Sequence, residues 1–408
     1  MSKQIKMLAL FDYNSFTGFA TVSRNLVSQW TKTFGNDLSI DIIAINYFGK
    51  DYKEGENIRV TSGKLKDAAK DDFGRHVFLR TLKDEDYDII FINQDLGVVL
   101  PMVKVLKQIK EEKKALNKPN FKSLFYFPVD FALTPNLVRD LDFFDFIATY
   151  TEYGRTQVLN INPDLKGKLK VIPHGSNLKD FKPTNVVDFR KEYFGDNQSK
   201  FIVSNINRNQ SRKDIPTTIF GFLDYHQDYN KNSLLYLHMH PKDPMGWNIR
   251  TILSQTPLVE GVDYMFPSED DYCNGADIEK MNLIYNASDV FLTTATGGGW
   301  ELSVTEAMCC RTPVIIPKHT SFSEIGGNRG ERAYFLETLY PTVALVDNII
   351  RWQCDFIEIA EKLDEVKKAI DNRSLELSNK LDKAYDYVSK LDWKDISKVF
   401  SDEIVRLS

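Results

Sequence analysis

Cysteine is scarce in this sequence, and its few copies are not spaced for a shared chemistry. The chain has four cysteines among 408 residues and no C-x-x-C pair. A disulfide framework or a zinc site would need closer and more regular spacing. Cys309 and Cys310 are adjacent within an apolar segment, where buried thiols are expected. The cysteines therefore predict a protein of a reducing compartment, the cytoplasm.

Long hydrophobic runs are also absent. The first apolar stretch, Met7–Phe11, is short and leads into polar residues, so we expect no secretory signal peptide. No later stretch approaches the roughly 20 apolar residues that a membrane-spanning helix needs. We expect a cytoplasmic protein without stable membrane insertion.

Neither sign of charge dominates. Lysine and arginine total 52 and aspartate and glutamate total 57, a formal net charge of −5. Such a balance gives no global attraction to nucleic acid or acidic lipid. The lysine-rich stretch Lys104–Lys122 is interrupted by Glu111 and Glu112, which indicates the solvated face of a helix. A membrane or nucleic-acid contact is the alternative for that face.

What the chain does have is length and a regular alternation of apolar runs with amphipathic stretches. A chain of 408 residues exceeds what one core usually supports, which predicts two domains. The alternation is typical of strands buried on both faces of a parallel sheet, with helices between them. In the first half, the predicted strands are Met7–Phe11, Leu38–Asn46, Ile89–Ile92, Ser123–Phe127 and Phe146–Thr149, and the predicted helices are Thr21–Phe34 and Val98–Glu111.

A polar connection ending at Pro183 separates this half from a second α/β series. We place the domain boundary between residues 176 and 177. The predicted strands of the second series are Phe201–Asn205, Leu234–His238, Val290–Thr293 and Thr312–Ile316. The segment Phe356–Ser389 is charged and predicted to be helical. The fold class is therefore α/β, with two Rossmann-like domains.

A glycine run is the strongest sign of chemistry. Gly297, Gly298 and Gly299 follow an apolar strand and precede a helix predicted to begin near Ser303. Glycines let backbone N–H groups approach a phosphate, and a helix N-terminus adds the positive end of its dipole. Glu306, one turn into that helix, could accept hydrogen bonds from ribose hydroxyls. An ordinary glycine turn followed by an exposed glutamate is the alternative.

A short basic loop supplies the context. Arg208, Arg212 and Lys213 follow the predicted strand Phe201–Asn205 and precede a helix that begins near Pro216. A diphosphate would accommodate these cations at the end of a strand. A solvated basic loop is the alternative.

In combination, these segments resemble the family-four retaining glycosyltransferases of the GT-B fold, over nearly the whole chain. Ile172–Asn177 with Phe181–Pro183 is similar to the stretch that opens the family's C-terminal domain, and Tyr285–Asp289 is similar to its YxxAD helix end. Thr17-Gly18-Phe19 resembles its N-terminal glycine turn. The resemblance implies two Rossmann-like domains facing across a cleft. The first would comprise residues 1–176, on the acceptor side, with a terminal helix 395–408 crossing back to it. The second, residues 177–394, would bind the nucleotide sugar.

The resemblance implies transfer of a sugar from a nucleotide-diphosphate donor, UDP- or GDP-linked, to a hydroxyl acceptor with retention of configuration. Arg208 and Lys213 would bind the diphosphate, and Glu306 would bind the ribose. Other donor contacts would come from Gly18, Gly298, Gly299, Met265 and His240. We expect no metal or other cofactor, because arginine, lysine and helix dipoles would neutralise the leaving diphosphate. The pairs Asp84/Asp86 and Asp140/Asp142 are interpreted as solvated surface.

Two departures from the family's pattern concern catalysis. Gly298 stands where the first glutamate of the Glu-x7-Glu motif lies beside the transferred sugar, and Glu301 is the candidate to replace it. Asp130 stands near the usual strand-end histidine, and could hold a sugar hydroxyl or take a proton. A strand-end turn is the alternative for Asp130. In addition, Arg311 replaces a customary glycine.

Some alternatives stay open on the sequence alone. His174 could be a satisfied structural histidine, and His238 and His240, expected on one face of a strand, could be structural as well. A protein that binds a nucleotide or glycan without turnover is one rival function, and a nucleotide-sugar epimerase is another. The acceptor could be a glycan, a lipid, a protein or a hydroxylated DNA base.

Overall fold

The computed structural model describes residues 4–63, 73–343 and 347–408. Contacts divide the chain into two compact units, Met1–Gly175 with Asp392–Ser408, and Ser176–Leu391. We call these the first and the second unit. The predicted divisions fell at residues 176/177 and 394/395. None of the described helices combines the length and the apolarity needed to cross a membrane.

The first unit is built on an eight-stranded sheet with the order β3-β4-β2-β1-β5-β6-β7-β8. All neighbouring strands are parallel except the pair β3 and β4. The strands are β1 (Ile5–Asp12), β2 (Leu38–Ile45), β3 (Tyr52–Glu54), β4 (Ile58–Ser62), β5 (Ile89–Asn93), β6 (Lys122–Phe127), β7 (Phe146–Thr149) and β8 (Leu169–Val171). The helices are α1 (Gly18–Phe34), α2 (Arg75–Asp84), α3 (Leu96–Val99), α4 (Val103–Ala115) and α5 (Glu152–Ile161), with a terminal helix Trp393–Leu407.

The terminal helix belongs to the core of the first unit. Phe400 packs edge-on against Phe91 at 5.2 Å and Tyr126 at 5.0 Å between ring centroids. Gly175 lies so close to Trp393 that an added Cβ would come within 2.5 Å of the indole ring. A side chain at residue 175 is therefore excluded, which explains the glycine.

The second unit has a six-stranded parallel sheet with the order β11-β10-β9-β12-β13-β14 and a separate antiparallel pair, β15 and β16. Its strands are β9 (Phe201–Ile206), β10 (Ser233–His238), β11 (Tyr264–Met265), β12 (Val290–Leu292), β13 (Val314–Pro317), β14 (Tyr334–Leu336), β15 (Thr338–Val343) and β16 (Ile350–Cys354). Its helices are α6 (Val187–Phe194), α7 (Ile215–Asp228), α8 (Ile249–Leu253), α9 (Glu269–Asn274), α10 (Ile278–Ala287), α11 (Leu302–Cys309), α12 (Thr320–Gly326), α13 (Phe356–Asp371) and α14 (Leu375–Ser389).

Every predicted strand is present, with ends shifted by a few residues, but two local predictions were wrong. The single helix predicted over Val98–Glu111 is divided into α3, a 3-10 turn Leu100–Met102 and α4. Pro101 has no N–H to donate, which favours such a break. Strand β10 ends at His238, so His240 lies in the following loop and not on the strand.

Arg311 lies between α11 and β13 in the left-handed backbone region, with φ of 60°. Glycine adopts this conformation without a Cβ penalty, whereas most other residues do not. The guanidinium of Arg311 forms an ion pair with Asp382 on α14. The arginine therefore retains the backbone turn of the customary glycine and adds a contact to a neighbouring helix.

The lysines of α4 are mostly exposed, as predicted, but Lys113 is buried. Lys113 is only 4% exposed, and its ammonium lies 2.7 Å from Asp86. Lys107 lies 3.4 Å from Asp140. The aliphatic part of a lysine side chain packs readily against apolar surface while its ammonium group pairs with a carboxylate. Asp86 and Asp140 are thus partners of the helix's lysines.

Candidate functional site

Two loops of the second unit are joined into one frame. The loops follow the adjacent parallel strands β9 and β12. The Thr296 N–H donates to the Arg212 carbonyl at 2.7 Å, and the Thr294 hydroxyl donates to the Asp214 carbonyl at 2.8 Å. Arg212 also donates from its guanidinium to the Gly297 carbonyl at 3.1 Å. The basic loop and the glycine run, which lie far apart in sequence, are thereby held together at the carboxyl edge of the sheet.

Lys213 and Glu301 form a buried ion pair within this frame. Each residue is 5% exposed, and the Lys213 ammonium contacts Oε2 of Glu301. The other oxygen, Oε1, lies 3.4 Å from Arg212 Nη1. A buried carboxylate is tolerated only when it is paired and hydrogen-bonded, and these two cations meet that need. Lys213, predicted to bind diphosphate, already neutralises an acid of the chain.

Gly298 leaves room for that acid. A Cβ built on Gly298 would lie 2.8 Å from Oε1 of Glu301 and 3.1 Å from the ring of Phe322. The carboxylate of Glu301 therefore occupies the space beside residue 298 that a side chain there would enter. Because these two atoms would collide, an acid at residue 298 and the present position of Glu301 exclude each other.

We expected the Gly298 amide to face a phosphate, but it is hydrogen-bonded within the protein. Its N–H donates to the Thr320 hydroxyl at 3.2 Å, and its carbonyl accepts from the Ser321 N–H at 3.3 Å. Gly299 is buried as well. The contribution of Gly298 to this site is space for a neighbouring carboxylate, and its amide is already hydrogen-bonded within the protein.

Arg208 lies at the solvent side of the same loop. Its side chain is 55% exposed, and Nε lies 2.8 Å from Oδ2 of Asp243. The buried Asn209 fixes the facing loop, because its amide donates to the Trp247 carbonyl at 2.7 Å and its Oδ1 accepts from the Trp247 N–H at 3.1 Å. Arg208 is therefore held over a rigid backbone while its guanidinium stays accessible.

Glu306 lies in helix α11, which begins at Leu302, directly after Glu301. The Tyr285 hydroxyl donates to Oε2 of Glu306 at 2.8 Å. Burial raises the pKa of Glu306 to about 7, because a desolvated carboxyl favours its neutral form. Burial also raises the pKa of Tyr285 well above its ordinary value. The charge of Glu306 therefore changes near neutral pH.

Two further predicted donor contacts, Met265 and His240, lie on or after the neighbouring strands β11 and β10. Met265 is on β11, and strands β10 and β9 separate β11 from β12 in the sheet. His240 follows β10; its Nδ1 accepts from the Lys242 N–H at 3.0 Å, and its ring packs against Tyr272 at 4.8 Å. The His240 carbonyl accepts from the Asn209 amide at 3.3 Å, so His240 lies beside the Arg208 end of the basic loop, whereas Met265 is on a strand two places from β9.

The remaining predicted residues belong to the first unit. Gly18 is the exposed first residue of α1, and Thr17 caps that helix by accepting from the Ala20 N–H at 3.1 Å. Asp12, at the end of β1, accepts from the Thr17 hydroxyl at 2.6 Å. Asp130 is half-buried and follows β6. Both predicted residues lie beyond the carboxyl ends of parallel strands, the edge where open α/β sheets bind ligands.

His174 is a structural histidine of the first unit. Its Nδ1 lies 2.8 Å from the Tyr126 hydroxyl, and its ring stacks on Trp393 with 6.1 Å between centroids. Burial lowers the pKa of His174 to about 3, which keeps the ring neutral. The segment Ile172–Asn177 that contains His174 therefore has a structural role at the end of this unit.

Sequence reasoning missed the partners that hold the site residues. Arg208 pairs with Asp243, Glu306 with Tyr285 and Gly298 with Thr320. No local sequence pattern indicates these contacts, because each pairing is set by the fold. Among residues 4–63, 73–343 and 347–408, no group of three or more histidine, cysteine, aspartate or glutamate side chains is arranged to hold a metal ion.

Comparison with known proteins places this geometry in context. No family model matches the chain. A probable sucrose-phosphate synthase from Thermosipho melanesiensis is 23% identical over 203 residues, which cover 47% of this chain and 44% of that protein. The match thus spans less than half of that relative's length.

Solved structures share the fold over almost the full chain. Sucrose-phosphate synthase from Thermosynechococcus elongatus has a TM-score of 0.73 at 15% identity, covering 99% of both chains. HepE from Anabaena, in complex with UDP and glucose, has a TM-score of 0.66 at 12% identity, covering 98% of this chain and 100% of its own. Trehalose-6-phosphate synthase OtsA has a TM-score of 0.66 at 14% identity, covering 98% and 99%. These structures confirm the predicted α/β fold with two Rossmann-like domains, the GT-B fold.

Proposed function

We propose that the chain is a retaining glycosyltransferase that moves a hexosyl group from a nucleoside-diphosphate sugar of the UDP-glucose type to a hydroxyl acceptor. The observation that carries this proposal is the Glu301 carboxylate, buried beside Gly298 and paired with Lys213 at the carboxyl edge of β9 and β12. Open α/β sheets bind their ligands at that edge. Glu301, three residues after Gly298, occupies the space that a side chain at residue 298 would enter.

Each residue of the cluster has a chemical task in this reaction. The bond between the anomeric carbon and the phosphate oxygen breaks, and its electron pair leaves with the diphosphate. Arg208, accessible at the solvent side, stabilises the charge that develops there, with Lys213 behind it. Glu301, as an acceptor-only group, holds sugar hydroxyls. Glu306 accepts from the ribose hydroxyls. We propose that these groups act without a metal.

The acceptor hydroxyl attacks the anomeric carbon from the face that the diphosphate leaves, which retains configuration. Its proton passes to the departing phosphate or to a base, for which Asp130 remains our prediction. Gly18, Met265 and His240 likewise remain predicted donor contacts, and the loop of His240 contacts the basic loop at Asn209.

The choice of donor is supported by proteins of the same fold. HepE was solved with UDP-glucose, and an E. coli protein of the trehalose-6-phosphate system was solved bound with UDP-2-fluoro glucose. These ligands belong to those proteins, at 12% and 15% identity to this chain. They make UDP-glucose the first donor to test.

The test is incubation of the purified chain with UDP-glucose and with GDP-, ADP- and other UDP-linked sugars. Release of nucleoside diphosphate together with a new glycoside supports the proposal. Saturable binding without release would indicate a non-catalytic binding protein, and recovery of an isomerised nucleotide sugar would indicate an epimerase. Mass spectrometry of host glycans, lipids, proteins and nucleic acid, with and without the gene, would identify the acceptor.

A further inference from the structure

A third loop of the second unit reaches Gly298. Residues 318–320 follow β13, which pairs with β12 in the sheet. The Gly298 N–H donates to the Thr320 hydroxyl at 3.2 Å, and the Gly298 carbonyl accepts from the Ser321 N–H at 3.3 Å. Thr320 and Ser321 are the first residues of α12. Two hydrogen bonds therefore fix Gly298 against the segment that follows the neighbouring strand.

The backbone of Thr320 is strained. Its φ is 48°, in the left-handed region, which a residue with a branched Cβ rarely adopts and which glycine adopts without penalty. In the described part of the chain, Thr320 is the only residue with a branched Cβ at positive φ. The other non-glycine residues of this kind are Asn46, Asn117, Asp214, Arg311, Asn348 and Arg373. Glycine would suit the backbone at residue 320 better, so the advantage of threonine lies in its side chain.

The Thr320 hydroxyl links two neighbours. It accepts from the Gly298 N–H, and it lies 3.1 Å from Nδ1 of His319. Burial lowers the pKa of His319 to about 4, which keeps the ring neutral. A neutral Nδ1 can accept the hydroxyl proton, and the hydroxyl oxygen then presents a lone pair to the Gly298 N–H. His319 thereby orients the hydroxyl toward Gly298.

The position of Gly298 determines the space that Glu301 occupies. A Cβ on Gly298 would lie 2.8 Å from Oε1 of Glu301, so the carboxylate already lies against this residue. Gly298 is buried, and loss of the Thr320 hydroxyl would leave its N–H without that partner. Because a buried N–H without a partner is unfavourable, the turn that carries Gly298 and Glu301 would shift.

We propose that Thr320 is a positioning residue for glycosyl transfer: its hydroxyl holds the Gly298 turn in the conformation that presents the Glu301 carboxylate to the donor sugar. The inference rests on the proposed function of Glu301. Glycine at residue 320 would relieve the strain but could not accept from the Gly298 N–H. The placement matters because a displacement of about 1 Å in an active site can reduce the rate about 100-fold.

Three variants at residue 320 test the proposal. Thr320→Gly relieves the strain and removes the hydroxyl, so it should melt near the unmodified temperature while its kcat falls at least about 10-fold. Thr320→Val keeps the branched Cβ without the hydroxyl and should lose kcat as well. Thr320→Ser keeps the hydroxyl and should retain kcat. Affinity for the free nucleoside diphosphate should be the same in all three, because that ligand lacks the sugar.

Arg373→Gly is the matched control for relief of strain. Arg373 is exposed between α13 and α14 and has a φ of 49°. This variant should melt near the unmodified temperature and keep its kcat. Full kcat in Thr320→Gly would overturn the proposal, and so would a loss of kcat in Thr320→Ser as large as that in Thr320→Gly.

Failure of the proposed function gives a different result, because the unmodified chain would then release no nucleoside diphosphate from any donor. Hydrogen exchange measures the turn without need of activity. Exchange in residues 294–304 should be faster in Thr320→Val than in Thr320→Ser if the hydroxyl holds the Gly298 N–H. Equally slow exchange in these two variants would overturn the inference even for an active enzyme.

Discussion

Arg208 and Lys213 were predicted to share one task, yet the structure places them in opposite environments. Arg208 is exposed and paired with Asp243, whereas Lys213 is buried and paired with Glu301. The Arg208 guanidinium is solvated, and Asp243, 10% exposed, also accepts from the Met245 N–H at 2.8 Å, so we expect this pair to contribute about 0–1 kcal/mol to stability. Loss of one partner from a buried pair costs about 3–5 kcal/mol, because the other charge is left without a partner. Lys213 therefore has a structural duty that Arg208 does not have, and substitutions can separate the two.

The largest expected effect is on folding. Lys213→Met should lower the free energy of unfolding by about 3–5 kcal/mol, because the buried Glu301 carboxylate loses the Lys213 ammonium and is left with Arg212 at 3.4 Å. Arg208→Met, the matched control, should change it by less than about 1 kcal/mol. Urea denaturation measures both values. Equal losses in the two variants would contradict the difference in environment.

A rescue experiment sharpens this prediction. Adding Glu301→Gln to Lys213→Met removes the unpaired charge, so the double variant should recover stability relative to Lys213→Met alone. If the double variant is less stable than the sum of the single changes, the two side chains do not act as a pair.

The next effect is on turnover. With a verified donor, Glu301→Gln should reduce turnover about 100-fold, in the range found when one stabilising hydrogen bond at a reacting centre is removed. Affinity for the free nucleoside diphosphate should not fall, because that ligand lacks the sugar and because Lys213 is released from its carboxylate. Steady-state kinetics and calorimetry on the same sample report the two quantities. Full activity of the variant would make Glu301 a purely structural acid.

Arg208 should affect the affinity for the free nucleoside diphosphate. Arg208→Ala should weaken binding of the free nucleoside diphosphate by about 1.5–3 kcal/mol, the value of a charge-assisted hydrogen bond. Asp243→Asn, which removes the competing carboxylate 2.8 Å from Arg208 Nε, should not weaken it. Calorimetry would distinguish the two variants. An unchanged affinity in Arg208→Ala would remove this residue from the donor site.

The smallest expected effect concerns pH. Burial raises the pKa of Glu306 to about 7, so the carboxyl is protonated below that pH and accepts ribose hydrogen bonds best above it. Affinity for the nucleoside diphosphate should therefore rise a few-fold from pH 6 to pH 8, and Glu306→Gln should abolish that rise. The stability linkage has the opposite sign: a raised pKa favours the folded state at low pH, and this contribution is lost as pH rises through about 7. Thermal unfolding of both proteins across this range provides the second measurement.

The sequence predicted the sheets well because their strands are buried on both faces. Runs such as Phe146–Thr149 are continuous in apolar residues and end where the strand ends. The sequence analysis did not predict β15 and β16: the five residues of β16 alternate as an amphipathic strand does, but β15 has no regular alternation and contains Pro341, which disfavours a strand. Very short strands such as β3 and β11 have too few residues to show a period.

The candidate site was predictable in its residues but not in its pairings. The basic loop and the glycine run were recognisable because each follows a buried strand. The contact between Lys213 and Glu301 joins residues 88 positions apart, and no local pattern encodes it. Likewise, the sequence showed an acid missing at residue 298, and the three-dimensional structure places Glu301 in the space beside that residue.

The two-part first unit has a consequence for synthesis on the ribosome. Its core includes Phe400, packed against Phe91 and Tyr126, yet the whole second unit is translated between those residues. The second unit is one uninterrupted segment, Ser176–Leu391, and can complete its fold as soon as it emerges. The first unit must wait, with its apolar sheet surface uncovered, until the helix Trp393–Leu407 has been made. A nascent chain arrested before Phe400 should therefore engage chaperones through its first unit, while its second unit already resists proteolysis.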